Sequence, residues 1–139
     1  MNFGFFKMTK QRHPEYTCSM EAALSVISGK WKVKILHELL NGPMRYSEIN
    51  RNITGITEKM LSQQLRELEE DKIVTRKVYP EVPPRVEYAF TDLGKELGQI
   101  FFALEKWGAH FLTVNMDTIK VADASCYTFR NDVDILMDV

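Results

Sequence analysis

Cysteine is scarce in this chain: Cys18 and Cys126 are its only two, far apart, with no Cys-x-x-Cys spacing and no Cys/His cluster. That excludes a zinc module and a disulfide-stapled secreted scaffold, and it predicts two free thiols. Long apolar runs are also missing. No stretch approaches the roughly 20 residues that span a bilayer, so no membrane partner is expected. Near the N-terminus Phe3, Phe5 and Phe6 are followed at once by Lys7, Lys10, Arg12 and His13, which is not a cleavable leader pattern, and a cytoplasmic protein is expected. There is no Gly-rich phosphate loop, paired-carboxylate motif or metal-ligand spacing, and His13, His37 and His110 are scattered. A thiol enzyme built on Cys18 would lack partners, so neither enzyme activity nor a cofactor is expected. What remains is an ordinary apolar and charged balance over a length that fits one domain.

Net charge is -1, an unpromising total for a nucleic-acid binder, but the charges are segregated. Between Lys30 and Glu87 eleven basic residues face nine acidic ones, and four of those acids, Glu67, Glu69, Glu70 and Asp71, crowd together. The chain after Leu112 carries five Asp against Lys120 and Arg130.

The most informative stretch runs from Thr57 to Asp71. Leu61, Leu65 and Leu68 recur at helical spacing on one face, and Thr57 suits the N-cap. The opposite face carries Lys59, Ser62, Gln63 and Arg66, with Met60 on its edge. Arg and Gln pair with guanine and adenine edges, and Ser or Lys reach bases or phosphates, so this half fits a major groove. The acidic C-terminal half sits where the helix dipole is already negative, and it is expected to point away from phosphate.

Taken in order, residues 1–17 read as an irregular arm. A helix is expected from Cys18 or Ser19 to about Gly29, with Met20, Leu24 and Ile27 on its buried side. A second follows, with Trp31, Ile35 and Leu39 inward, Val33, Leu36 and Leu40 beside them, and Lys30, Lys32 and Lys34 solvated; Asn41-Gly42-Pro43 stops it. After a minimal strand at 44–46, Ser47 is expected to cap a short helix to Ile53, and Thr54-Gly55-Ile56 turns the chain into the reader helix. Helix, Gly-containing turn and second helix are the helix-turn-helix order.

Beyond it, an alternating strand from Ile73 to Tyr79 and another from Arg85 to Thr91 flank the stiff Pro80–Pro84 connection. Such a hairpin is the wing of a winged helix, with Arg76, Lys77 and Arg85 able to straddle a backbone or minor groove; a merely solvated hairpin is the other reading. Thr91 is expected to cap a last long helix with a stripe of Leu93, Leu97, Ile100, Phe101, Leu104, Trp107 and Phe111. That stripe is wider than one face requires, and both a second subunit and the C-terminal tail are candidates to cover it. The tail, 113–139, carries no assignable pattern.

In sequence, Gly29-Lys30-Trp31-Lys32, Arg45-Tyr46-Ser47-Glu48-Ile49, Leu61 through Asp71, Pro84-Arg85-Val86-Glu87-Tyr88 and Thr91-Asp92-Leu93-Gly94 together resemble the HxlR-type branch of the MarR-like winged-helix regulators. The resemblance covers roughly Cys18 to Phe111 within an 18–112 domain. It implies a mainly α (α+β) winged helix-turn-helix with a β-hairpin wing and extra N- and C-terminal dimerisation helices. It further implies a homodimer through Met20, Leu24, Phe101, Leu104, Trp107 and Phe111, bound to a pseudo-palindromic operator in double-stranded DNA, in a bacterial or archaeal cytoplasm. A winged-helix module that binds protein without DNA is the alternative that the near-neutral charge leaves open.

The resemblance also implies a thiol sensor at Cys18, answering an oxidant or small-molecule effector. A helix N-terminus favours thiolate, Glu15 and Glu21 oppose it, and a plain packing role stays open beside the sensor. Ser19 stands where the family often has Pro, and the Gly often found after the reader helix is absent at Asp71-Lys72-Ile73.

Overall fold

The computed structural model describes residues 15–119. The arm up to residue 14, the tail from 120 and Cys126 lie outside the described residues. The elements up to Leu93 form one compact unit and those from Gly94 a second.

The first unit begins with α1 (Ser19–Ile27), whose N-cap is Cys18, and α2 (Lys30–Leu39). The two-residue β1 (Met44–Arg45) leads into α3 (Tyr46–Asn52), then α4 (Glu58–Glu70), then the hairpin β2 (Val74–Tyr79) and β3 (Arg85–Phe90). The three strands form one antiparallel sheet in the order β1-β3-β2. Met44 pairs with Tyr88 and Arg45 with Glu87, while β2 and β3 run in register from Val74–Phe90 to Tyr79–Arg85.

The helical stripes read from the sequence converge on a single core. Ile35, Leu36 and Leu39 of α2, Ile49 of α3 and Leu61, Leu65 and Leu68 of α4 are all buried, together with Val74 and Tyr88 of the sheet. At about 25 cal/mol per Å² of apolar surface, each such side chain contributes roughly 1.5–3 kcal/mol. The short α3 has Arg45 at its N-cap, two residues before the expected Ser47; the Glu48 Oε1 accepts from the Arg45 N–H at 2.9 Å and closes the first turn. Gly55 in the turn before α4 has φ +89, a left-handed conformation that disfavours any residue with a Cβ.

Both N-terminal helices depart from the sequence reading. Lys32, expected in solvent, is buried at 6% exposure and lies 2.8 Å from Glu67, itself 9% exposed, while its neighbour Val33 is exposed instead. A lysine counts as a surface residue in any pattern reading, and its partner is far along the chain. On α1 only Ile27 is buried, whereas Met20 and Leu24, placed on the buried side, are exposed. Along the apolar face of α1, cover among the described residues therefore reaches Ile27 but leaves Met20 and Leu24 exposed.

The end of α4 is closed by Lys72 at φ 63, the left-handed position where a glycine is usual. The Ile73 N–H donates to the Leu68 carbonyl at 2.9 Å and the Lys72 N–H to the Glu69 carbonyl at 3.0 Å. Buried Ile73 and Leu68 complete this Schellman arrangement. Thr91, expected as a cap, donates its hydroxyl to the Lys72 carbonyl at 2.7 Å, which fastens the end of the hairpin to the same turn.

The single last helix of the sequence reading is two: α5 (Asp92–Lys95) and α6 (Leu97–Val114), separated at Glu96. Gly94 and Gly98 flank that break, and each weakens a helix by close to 1 kcal/mol relative to Ala. Along α6, Phe101 is buried at 6% exposure, while Leu104, Trp107 and Phe111 are exposed, Trp107 at 66%. The Trp107 and Phe111 rings stack with centroids 5.5 Å apart.

Candidate nucleic-acid interface

The surface that matches the sequence expectation begins with the N-terminal half of α4. Its apolar row is fully buried, so the opposite face is turned outward by helical geometry alone. Thr57 caps it, the hydroxyl accepting from the Met60 N–H at 3.1 Å. Lys59 and Arg66 are exposed, and Met60, Ser62 and Gln63 are half-buried.

The predicted reader residues are not equivalent. The Ser62 hydroxyl is 2.9 Å from the Tyr46 hydroxyl, which itself donates to the Glu58 carbonyl at 3.1 Å. Tyr46 therefore ties α3 to the first turns of α4 and holds the angle between the two helices. Gln63 Nε2 lies 3.5 Å from Glu67 Oε2, at the outer limit for a hydrogen bond, and Gln64 Nε2 approaches the Met60 sulfur at 3.7 Å. Of the acids expected to point away from nucleic acid, Glu67 turns inward to Lys32, but Glu69 lines the cleft described next.

Between α3–α4 and the wing lies an open cleft of about 820 Å³. Arg45, Arg66 and Arg76 line it, with Ser47, Ser62 and Tyr88. Arg45 belongs to neither the reader helix nor the wing, and sequence reasoning missed it. Its signal was the expected strand at 44–46, which brings it to the sheet edge opposite Glu87.

The hairpin divides the three predicted wing cations. Arg76 and Lys77 are adjacent in a strand and so lie on opposite faces. Arg76 shares the face of its register partner Tyr88 and interacts with that hydroxyl. Burial raises the Tyr88 pKa above the ordinary tyrosine value, against the opposing charge and hydrogen bond of Arg76. Lys77 lies over the Tyr79 ring at 4.8 Å. Arg85 borders the cleft but is committed within the wing: its guanidinium stacks on Tyr79 at 3.8 Å and pairs with Glu81 at 3.0 Å and Glu87 at 3.9 Å.

Cys18 is exposed, and its sulfur accepts from the Glu21 N–H at 3.4 Å. Glu21 in turn accepts from the Thr17 N–H and hydroxyl at 2.7 and 2.8 Å, which hold its carboxyl below the usual range. Among the described residues no group of three or more His, Cys, Asp and Glu is placed to hold a metal ion, and no helix is long and apolar enough to cross a membrane.

Comparison with known proteins adds sequence-wide evidence. The family model described as HxlR-like helix-turn-helix matches residues 26–116. An HTH-type transcriptional regulator of Methanothermobacter thermautotrophicus is 53% identical over 94 residues, covering 68% of this chain and 72% of that protein. The crystal structure of the HTH-type transcriptional regulator YtcD, a protein of Bacillus subtilis, superposes with a TM-score of 0.66 at 47% identity, covering 70% of this chain and 99% of that one. The redox regulator HypR in its oxidised form is similar at a TM-score of 0.62 and 39% identity, covering 75% of this chain and 100% of that one.

Proposed function

The chain belongs to the HxlR-like helix-turn-helix family of transcriptional regulators, which are not enzymes, and from that premise we propose that it is a dimeric, sequence-specific DNA-binding regulator acting in the cytoplasm. The observation that carries this reading is the division of α4. Leu61, Leu65 and Leu68 are fully buried, while Lys59 and Arg66 stand in solvent on the side that the helix-turn-helix presents. A helix held this way offers side chains of the length and donor pattern that read base edges in a major groove. The cationic cleft beside it supplies the electrostatic footprint that the net charge of the whole chain conceals.

Dimerisation is supported by apolar surface that one copy leaves uncovered: Leu104, Trp107 and Phe111 on α6, and Met20 and Leu24 on α1. Phe101 of the same stripe is already buried within one chain. Two copies related by a two-fold axis would offer two reader helices to a pseudo-palindromic site.

The test is gel-shift binding to duplex DNA over a salt series. A DNA-binding regulator loses affinity steeply as salt rises, because bound phosphates release counterions. A shift that is absent at low salt would favour a winged-helix module that binds protein.

A second reading rests on Cys18, whose thiol is exposed at the N-terminus of α1, with its sulfur accepting from the Glu21 N–H. We propose that an oxidant acts here. Diamide accepts two electrons and two protons, becoming the hydrazine, as Cys18 and a small thiol join in a mixed disulfide. Loss of operator binding after diamide and glutathione treatment in the parent, with retention in Cys18→Ser, supports sensing; identical behaviour of the two leaves Cys18 as a helix cap.

A further inference from the structure

The reader helix contributes only part of its outer face to the cleft. Ser62 and Arg66 line it, whereas Lys59 and Gln63 do not. The facing wall is the inward side of the hairpin, with Arg76, and β1 adds Arg45. Glu69 is one acid among these three guanidiniums, and Glu81, at the wing tip, is taken up by Arg85. The cleft is therefore cationic in sum, half-open to solvent, and bounded on one side by a helix fit for a groove and on the other by a wing.

From this division we infer that the cleft seats the phosphodiester backbone between the groove read by α4 and the wing, with Arg66 and Arg76 as phosphate ligands, and that Arg85 braces the wing without touching DNA. The inference deepens the DNA-binding reading and rests on it.

Several observations converge. Arg66, whose residue type fits guanine, lines the cleft on the wing side of α4, while Gln63 lies outside it, 3.5 Å from Glu67. Arg76 is anchored through the buried Tyr88, and a guanidinium with five donors can spend one there and keep others for phosphate oxygens. Arg85 has its charge matched by Glu81 and Glu87 and its face covered by Tyr79, so removing it from DNA contact costs the interface no phosphate neutralisation. A polymer of regularly spaced phosphates suits an open trough better than a single anion does, since the cations stand on walls contributed by separate elements.

The experiment measures binding of the full chain by fluorescence anisotropy from 50 to 300 mM salt, on a duplex carrying the selected operator and on a scrambled duplex. Each phosphate contact contributes about 0.9 to the slope of log affinity against log salt. Arg66→Gln and Arg76→Gln are each expected to lower that slope by about one and to weaken both duplexes by the same factor. Arg66→Lys and Arg76→Lys are expected to keep the slope, since the charge is retained, and Arg85→Gln is expected to leave it unchanged. Far-ultraviolet circular dichroism establishes that each variant is folded. If the parent binds but the slope survives Arg66→Gln and Arg76→Gln, or if Arg66→Gln loses only the operator, the phosphate assignment is overturned while DNA binding stands. If the parent binds neither duplex at 50 mM salt, the DNA-binding reading falls and takes this inference with it.

Discussion

Lys32 Nζ lies 2.8 Å from Glu67 Oε1, and both side chains are almost completely withdrawn from water. The pair joins α2 to the flank of α4, about a quarter turn round the helix from Lys59 and Arg66. It anchors the reader helix by a charge pair in addition to its leucine row. Removing one partner of a buried pair withdraws the other's counter-charge, which typically costs about 3–5 kcal/mol. Lys32→Met is therefore expected to lose stability on that scale in urea unfolding, and Lys32→Met combined with Glu67→Leu to regain most of it. A single variant within 1 kcal/mol of the parent would contradict this role.

Lys72 holds a left-handed conformation at the end of α4, with φ 63, where L residues other than glycine are strained by about 1–2 kcal/mol. Lys72→Gly relieves that strain but enlarges the freedom of the unfolded chain, so a net gain of about 0.5–1 kcal/mol is expected. Thermal unfolding checks it: the midpoint should rise with glycine and fall with Lys72→Val.

Tyr88 supplies a pH dependence. Its pKa is raised in the folded chain, chiefly by burial, so the folded state holds the phenolic proton more tightly than the unfolded state does. The contribution is fully present below the unfolded tyrosine value of about 10, and it is lost as pH rises from there through the folded pKa. Between pH 9 and pH 11 the parent should lose more stability than Tyr88→Phe, measured by urea midpoint. Parallel losses would show that Tyr88 ionisation is not coupled to folding.

Gln63 stands on the α4 face outside the wing cleft. Gln63→Ala is expected to cost roughly 1–3 kcal/mol at the preferred operator and to relax preference at particular base positions. Equal weakening of all sequences would assign Gln63 to the backbone instead.

The exposed α6 residues bear on assembly. Leu104→Glu places a charge in a surface proposed to be buried between subunits, so the variant should sediment as a monomer at micromolar concentration and lose operator binding. A parent protein that sediments as a monomer under the same conditions would count against the dimer.

The parts of this molecule that were legible in sequence are those written in local periodicity. The leucine row at 61, 65 and 68, the Thr57 cap and the alternating strands around a Pro-rich tip each dictate their own conformation, and the structure forms α4, β2 and β3 at those places. What was not legible depends on partners distant in the chain. Nothing near Lys32 announces Glu67, and nothing near Ser62 announces Tyr46. Arg76, Lys77 and Arg85 look alike as cations; strand register and the acids at 81 and 87 separate them. Arg45 joined the candidate site only because the short β1 pairs with β3. Met20 and Leu24 show the limit of periodicity, which identifies an apolar face but not what covers it.

The central claim is that α4 reads DNA sequence as one of two symmetric copies. Selection of bound duplexes from a random pool tests both halves of it at once. Expected is enrichment of an inverted repeat whose half-sites are about 34 Å, or one helical turn, apart, with the preferred bases altered in Gln63→Ala. Failure of the full chain to enrich any sequence, or enrichment of a motif that Gln63→Ala and Lys59→Ala leave unchanged in sequence and affinity, would contradict it.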